Sequence, residues 1–121
     1  MKKVYHLSSC STNKRILKTL SFKDDVELQD IKVENIDAKT LDEIKDRVGS
    51  YEALFSKRAQ KYRALGLHEK QLTETDYRKF LLEEYTFLKR PFIIIEVKVF
   101  IGNAKQTVSD AYEAYHGEKL S

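Results

Sequence analysis

The sequence has 121 residues, the length of one ordinary domain with a single packed core. Hydrophobic residues make up 41% and charged residues 34%, with one proline and four glycines, a composition typical of a globular rather than a disordered chain. The net charge is only +3, and basic residues are interleaved with acidic ones, which argues against direct nucleic-acid binding.

The first third of the chain predicts a strand, a helix and a second strand. Lys3 to Leu7 is a short apolar run, and Asn13 to Leu20 places its apolar residues on one helical face. A half-alternating pattern over 26–31 predicts the second strand. Thr40 and Glu43 have the spacing of a capping box, which predicts the start of a further helix.

The middle of the chain, from residue 50 to residue 88, has a helical pattern. Gly49 is placed to end the preceding helix, Gly66 interrupts the pattern, and Thr73 offers a new N-cap. Tyrosines and phenylalanines recur here at helical spacing. That spacing predicts aromatic side chains in the core rather than a binding site for a cofactor or a base.

The last third predicts a pair of strands and a final helix. Pro91 precedes Phe92 to Ile95, a run with the β-branched content of a buried strand, and residues 97–101 alternate as its neighbour. A helix is predicted after Gly102 and should stop at Gly117. The order βαβ, helical block, ββα predicts a small mixed α/β sheet with helices over its faces.

Cys10, the only cysteine, lies where the first predicted strand gives way to a helix. Unpaired N–H groups and the positive end of a helix dipole favour an anion there, so Cys10 is a candidate thiolate nucleophile. The alternative, a small buried hydrophobe, suits a cysteine in mid-strand or mid-helix better. A lone cysteine and no apolar run of about 18 residues predict a cytoplasmic protein without a membrane segment.

Four further residues are candidates around this thiol. Thr12 and Asn13 could cap the first helix or bond to the sulfur. Arg58 and Arg90 are candidate anion binders, because guanidinium groups match oxyanions and carboxylates, although either could be a solvated surface arginine. Scattered histidines and the absence of a glycine-rich phosphate loop predict neither a metal nor a nucleotide site.

Three segments together resemble the glutaredoxin-dependent arsenate reductases and their Spx-like relatives. They are HLSSCST at 6–12, LFSKR at 54–58 and LKRPFII at 88–94. Gly102, eleven residues after Pro91, also falls where these proteins often carry a glycine after the fourth strand. The resemblance covers nearly the whole chain, and it depends on the order and spacing of the segments rather than on any one of them.

The resemblance implies a thioredoxin-like (glutaredoxin-type) fold, with a mixed four-stranded sheet and helices on both faces. Residues 1–121 would form a single domain with a helical insertion at about 39–89. Cys10 would be the nucleophile at the first strand–helix junction, and Pro91 would be a cis proline facing it.

The resemblance also implies a chemistry. His6, four residues before Cys10, would favour the thiolate, although from the sequence it could equally be a strand histidine without a catalytic duty. Relatives of the Spx type often carry a second cysteine at the position of Asn13, so an internal CxxC disulfide is excluded here. An external thiol, glutathione or a glutaredoxin, would have to resolve the Cys10 adduct, with no bound cofactor.

The arsenate-reductase pattern is incomplete in this chain. Reductases carry three arginines around the cysteine, and Arg90 is the one clear counterpart; Ser56 stands at a second position, with Arg58 two residues on, and Gly102 at the third. The sequence favours a thiol-dependent oxidoreductase. The alternatives are an Spx-like regulator that docks on RNA polymerase, and a member that keeps the fold without arsenate reductase activity. Cys10→Ser should abolish the enzyme and leave docking unchanged.

Overall fold

The computed structural model of the chain describes residues 1–120 and contains one mixed four-stranded sheet in the order β2-β1-β3-β4. The strands are β1 (Lys2–His6), β2 (Glu27–Asp30), β3 (Phe92–Ile95) and β4 (Lys98–Ile101). The helices are α1 (Ser11–Leu20), α2 (Ala38–Val48), α3 (Gln60–Ala64), α4 (Glu74–Glu83) and α5 (Lys105–His116). The predicted mixed α/β sheet and its element order are confirmed.

The strand pairings follow from which strands are buried. β1 pairs parallel with β2 and antiparallel with β3, so it lies in the interior of the sheet. All four residues of β3 are buried, as their uninterrupted apolar run predicts. β4 returns antiparallel to β3 through a turn at Glu96 and Val97. Glu96 adopts φ +55 without being a glycine, and its N–H donates to the carbonyl of Met1 (2.9 Å).

Two compact units make up the chain: residues 1–34 with those from 90 onward, and residues 35–89. In the first unit, α1 and α5 pack on the same face of the sheet. The buried residues of this cluster are Val4, Ile16, Leu20, Val26, Ile93, Ile95, Val108 and Ala111. The amphipathic spacing of both helices therefore creates one core.

The second unit has its own aromatic core. The ring of Phe55 stacks on Phe87, with ring centroids 4.7 Å apart, and meets Tyr77 edge to face at 5.0 Å. Phe55 also forms a β-bridge with Leu88. The prediction that these aromatic residues serve as core is consistent with their burial. None of the helices in residues 1–120 is long and apolar enough to cross a membrane.

Two predictions about the middle of the chain are wrong. α2 does not begin at a capping box of Thr40 and Glu43: Asp37 is its N-cap, and the Asp37 carboxylate accepts a hydrogen bond from the Thr40 N–H (2.7 Å). An aspartate three residues before Thr40 satisfies the same free N–H groups one turn earlier. The predicted helical stretch over 50–88 is broken into α3, α4 and three short 3₁₀ turns, whereas the cap at Thr73 is confirmed.

Removing a core side chain of the first unit should destabilise the protein. Leu20 is 0% exposed in the α1–α5 cluster, so Leu20→Ala should lower the free energy of unfolding by about 2–5 kcal/mol. Leu28, which is 53% exposed on β2, provides the matched control, and Leu28→Ala should change it by about 0.5 kcal/mol or less. Urea denaturation of the two variants would contradict this packing if they lost equal stability.

An ion pair in the second unit predicts a pH dependence. Arg78 binds both carboxylate oxygens of Asp42 (2.9 and 3.1 Å), and this contact, with a hydrogen bond from the Tyr51 hydroxyl, holds the pKa of Asp42 at about 2. Its stabilisation is complete above the unfolded aspartate pKa of about 3.9 and disappears as pH falls toward about 2. Over that window the urea midpoint should fall more steeply for the wild type than for Asp42→Asn; parallel curves would refute the assignment.

Candidate active site

Cys10 is the N-cap residue of α1, at the end of the loop that follows β1. Its N–H donates to the carbonyl of Leu7 (3.0 Å), and its own carbonyl accepts from the N–H of Lys14 (3.1 Å), the first hydrogen bond of the helix. Its side chain is half-buried and forms no disulfide. Cys10 therefore lies at the N-terminus of α1, as its position in the sequence predicts, and its side chain forms no hydrogen bond to the N–H groups of the first turn.

Asn13 connects this helix to the loop that precedes Cys10. It is 1% exposed, and its Oδ1 accepts a hydrogen bond from the N–H of Leu7 (2.9 Å). Because α1 begins at Ser11 with Cys10 as its N-cap, Thr12 and Asn13 lie within its first turn, and neither is the helix cap; the other predicted role, a bond to the sulfur, stays a prediction. The short spacing between Leu7 and Asn13 turns the chain back on itself, so the buried Asn13 fixes the loop from the helix side.

His6, the last residue of β1, lies beside β2. The parallel register places it opposite Asp30, and its carbonyl accepts from the N–H of Ile31 (2.9 Å). The sequence reasoning missed Asp30, whose carboxylate accepts hydrogen bonds from the hydroxyl and the N–H of Ser8. The Ser8 hydroxyl, followed by backbone N–H groups and the nearby His6, lowers the pKa of Asp30. The signal in the sequence that could have identified Asp30 is an acidic residue at the end of β2.

Pro91 lies at the same edge of the sheet as His6. The β1–β3 register pairs Tyr5 with Phe92, and extending it by one residue places His6 opposite Pro91. The Arg90–Pro91 peptide bond is cis, and the Pro91 carbonyl accepts from the N–H of Gly102 (3.0 Å). This edge therefore combines the ends of β1 and β4 with the start of β3.

The two candidate arginines differ in their surroundings. Arg90 is half-buried and directly precedes the cis proline in the first unit. Arg58 is exposed on a turn of the second unit, just after the Phe55–Leu88 bridge. Within the second unit that bridge is extended by a hydrogen bond from the N–H of Ser56 to the carbonyl of Phe87 (2.7 Å).

The charges on α1 favour an anion at its first turn. The helix contains Lys14, Arg15 and Lys18 on exposed positions and no acidic residue. The positive end of the helix dipole also lies at the N-terminus of α1. In residues 1–120, no group of three or more histidine, cysteine, aspartate or glutamate side chains could hold a metal ion. The arrangement suits nucleophilic chemistry by Cys10 on an anionic substrate.

The fold and the position of this cysteine define a class, the thioredoxin-like proteins with a helical insertion. Residues 5–111 match the ArsC family, and the chain belongs to that family. An uncharacterised protein from Haemophilus influenzae is 32% identical over 101 residues, which are 82% of this chain and 88% of the relative.

Solved structures support the same fold. An arsenate reductase related protein from Brucella melitensis is 24% identical and superposes with a TM-score of 0.68, covering 94% of this chain and 92% of its own. A structure from Streptococcus mutans, described as a possible arsenate reductase, is 27% identical with a TM-score of 0.68 and coverages of 87% and 92%. An arsenate reductase from Vibrio cholerae is 16% identical with a TM-score of 0.72 and coverages of 93% and 98%.

Loss of the Asn13 side chain should destabilise the folded protein. Asn13→Ala leaves the buried Leu7 N–H without its acceptor, which should lower the free energy of unfolding by about 1–3 kcal/mol. Ser11→Ala, at an exposed position of the same turn, should change it by about 0.5 kcal/mol or less. Urea denaturation tests both variants, and equal stabilities would show that Asn13 does not anchor the loop.

Proposed function

We propose that the protein is a thiol-dependent oxidoreductase of the arsenate reductase type, with Cys10 as its nucleophile and an external thiol as its reductant. The observation that carries this proposal is the position of Cys10 at the N-terminus of α1, a helix whose charged residues are all basic. Membership of the ArsC family and the likeness to solved arsenate reductases support it.

The proposed reaction is a two-electron reduction in three steps. The Cys10 thiolate attacks the central atom of an oxyanion such as arsenate, a sulfur–arsenic bond forms, and one oxygen leaves as water after taking up two protons. An external thiolate then attacks the Cys10 sulfur. The electron pair of the sulfur–arsenic bond stays on arsenic, so As(V) becomes As(III) and Cys10 is left in a mixed disulfide.

Glutathione or a glutaredoxin would complete the cycle. A second external thiol attacks the mixed disulfide, which returns Cys10 as a thiolate and releases the external disulfide. Overall, two thiols lose two electrons and the oxyanion gains them. Cys10 is the only cysteine, so the chain itself offers no second thiol for this step.

The remaining candidate residues have defined places in this reaction. Arg90, beside the cis proline, would bind the oxygens of the oxyanion or a carboxylate of glutathione. Pro91 and Thr12 would line the site, and His6 would favour the thiolate from the end of β1. Arg58 would supply a second guanidinium in place of the arginine that the reductases carry at position 56.

Four measurements test the proposal. Iodoacetamide should alkylate Cys10 in the folded protein about tenfold or more faster than in urea at the same neutral pH, because the helix N-terminus stabilises the thiolate only in the folded state.

Arsenate with glutathione and glutaredoxin should yield arsenite, and Cys10→Ser should abolish this reaction. Mass spectrometry should find a glutathione adduct on Cys10 in the wild type. Arg90→Lys should raise KM, because it keeps the charge and loses the paired donors.

The alternative is an Spx-like module that docks on RNA polymerase. A second alternative is a member that keeps the fold without arsenate reductase activity, and the serine and glycine that stand at two positions where the reductases carry arginines favour that alternative. Equal alkylation rates in the folded and unfolded states, together with RNA polymerase binding that survives Cys10→Ser, would overturn the oxidoreductase. Alkylation acceleration without arsenite formation would instead indicate a disulfide as the substrate of the same thiol.

A further inference from the structure

Asp30 ends β2, and a hydrogen-bonded turn follows it. Its carbonyl accepts hydrogen bonds from the N–H groups of Val33 (3.0 Å) and Glu34 (2.9 Å), and its carboxylate accepts from the N–H of Lys32 (3.2 Å). The side-chain amide of Gln29 donates to the carbonyl of Glu34 (2.8 Å) and closes the same turn. These contacts therefore hold the Asp30 carboxylate in place independently of the loop that contains Cys10.

The carboxylate reaches from this turn to the loop between β1 and α1. The Ser8 hydroxyl donates to Asp30 Oδ2, and the Ser8 N–H lies 3.4 Å from Asp30 Oδ1. Ser8 is two residues before Cys10 and directly follows Leu7, the residue that Asn13 binds from the other side. The loop is thus tied to α1 through Asn13 and to β2 through Asp30.

We propose that Asp30 is a positioning residue for Cys10: through Ser8 it fixes the loop in the conformation that places the thiol at the N-terminus of α1. The proposal rests on the proposed function only in giving Cys10 a reaction to perform. It assigns Asp30 no contact with substrate. Cys10 depends on this conformation because its own N–H bonds to Leu7 within the same loop.

The direction in which loss of Asp30 changes the reactivity of Cys10 distinguishes a positioning role from an effect of the charge. Hydrogen bonding from Ser8 lowers the pKa of Asp30, so Asp30 is a carboxylate at neutral pH. A negative charge near a thiolate disfavours the thiolate. If Asp30 acted through its charge alone, removing the charge would make Cys10 more reactive. If it acts as a positioning residue, removing its hydrogen bonds makes Cys10 less reactive.

The test uses Asp30→Ala, Asp30→Asn, Ser8→Ala and the double variant Ser8→Ala/Asp30→Ala, with Asp24→Ala as the control. Asp24 is an exposed aspartate whose loss removes the same charge. Two quantities are measured on the full chain at one neutral pH: the alkylation rate of Cys10 with iodoacetamide, and the hydrogen exchange rate of the Cys10 amide by NMR. Thermal melts establish that each variant is folded.

Asp30→Ala and Ser8→Ala should each raise exchange of the Cys10 amide by about tenfold, the range of a hydrogen bond to a charged group. Each should also slow alkylation by about twofold to fivefold, the range of a helix-terminus interaction. The double variant should resemble Asp30→Ala, since that substitution already removes the hydrogen bond of the Ser8 hydroxyl. Asp30→Asn should restore most of both rates, because its amide oxygen still accepts from Ser8, and Asp24→Ala should change neither.

Unchanged amide exchange, faster alkylation in Asp30→Ala, or additive effects in the double variant would each overturn the proposal. Failure of the proposed function has a different signature. In that case wild-type alkylation is no faster in the folded state than in urea, while the exchange rates still decide whether Asp30 holds the loop. Ser8→Ala removes the hydroxyl hydrogen bond to Asp30 from an exposed position, so the test does not depend on whether Asp30→Ala folds.

Discussion

β1 and β3 pair antiparallel in the interior of the sheet, with Lys2 opposite Ile95 and Tyr5 opposite Phe92. This pairing joins segments from opposite ends of the sequence and makes them one unit, leaving residues 35–89 as an insertion with a core of its own. All of β3 and the residues Val4 and Tyr5 of β1 are buried, so a slip of one residue would turn these apolar side chains to the wrong face. The register that protects the core therefore also places Pro91 at the edge where β1 ends.

Two kinds of contact build the candidate site at this edge of the sheet: one joins residues close in the sequence, and the other joins distant segments. Asn13 binds Leu7 across one short loop, so this contact joins residues that are close in the sequence. The contact between Ser8 and Asp30 exists only because β2 lies parallel to β1 and ends beside it. The position of Cys10 consequently depends on local chain reversal and on the sheet, and neither alone holds its loop from both sides.

Apolar periodicity and local caps explain why the order of strands and helices along the chain, α5 and the N-cap at Thr73 could be predicted from the sequence. These signals involve neighbours within one or two turns. The contacts that could not be predicted are those whose partners are chosen by tertiary structure. Asn13 carries the side chain of a cap and instead accepts from Leu7, and Asp30 acquires its role from strand register. The N-cap of α2 is Asp37 rather than Thr40, and the local sequence allows either residue to cap the helix.

Asn13 also bears on how a Cys10 adduct can be resolved. Spx-like relatives often carry the second cysteine of a CxxC pair at this position, and a cysteine sulfur is a weak hydrogen-bond acceptor. The buried Oδ1 that accepts from Leu7 here could not be replaced by a resolving thiol without weakening the anchor of the loop. The residue at position 13 can therefore either anchor the loop, as asparagine, or resolve a Cys10 adduct within the chain, as cysteine. With asparagine, the loop before Cys10 is anchored, and under the proposed function the half-buried Cys10 would react with a thiol from another molecule.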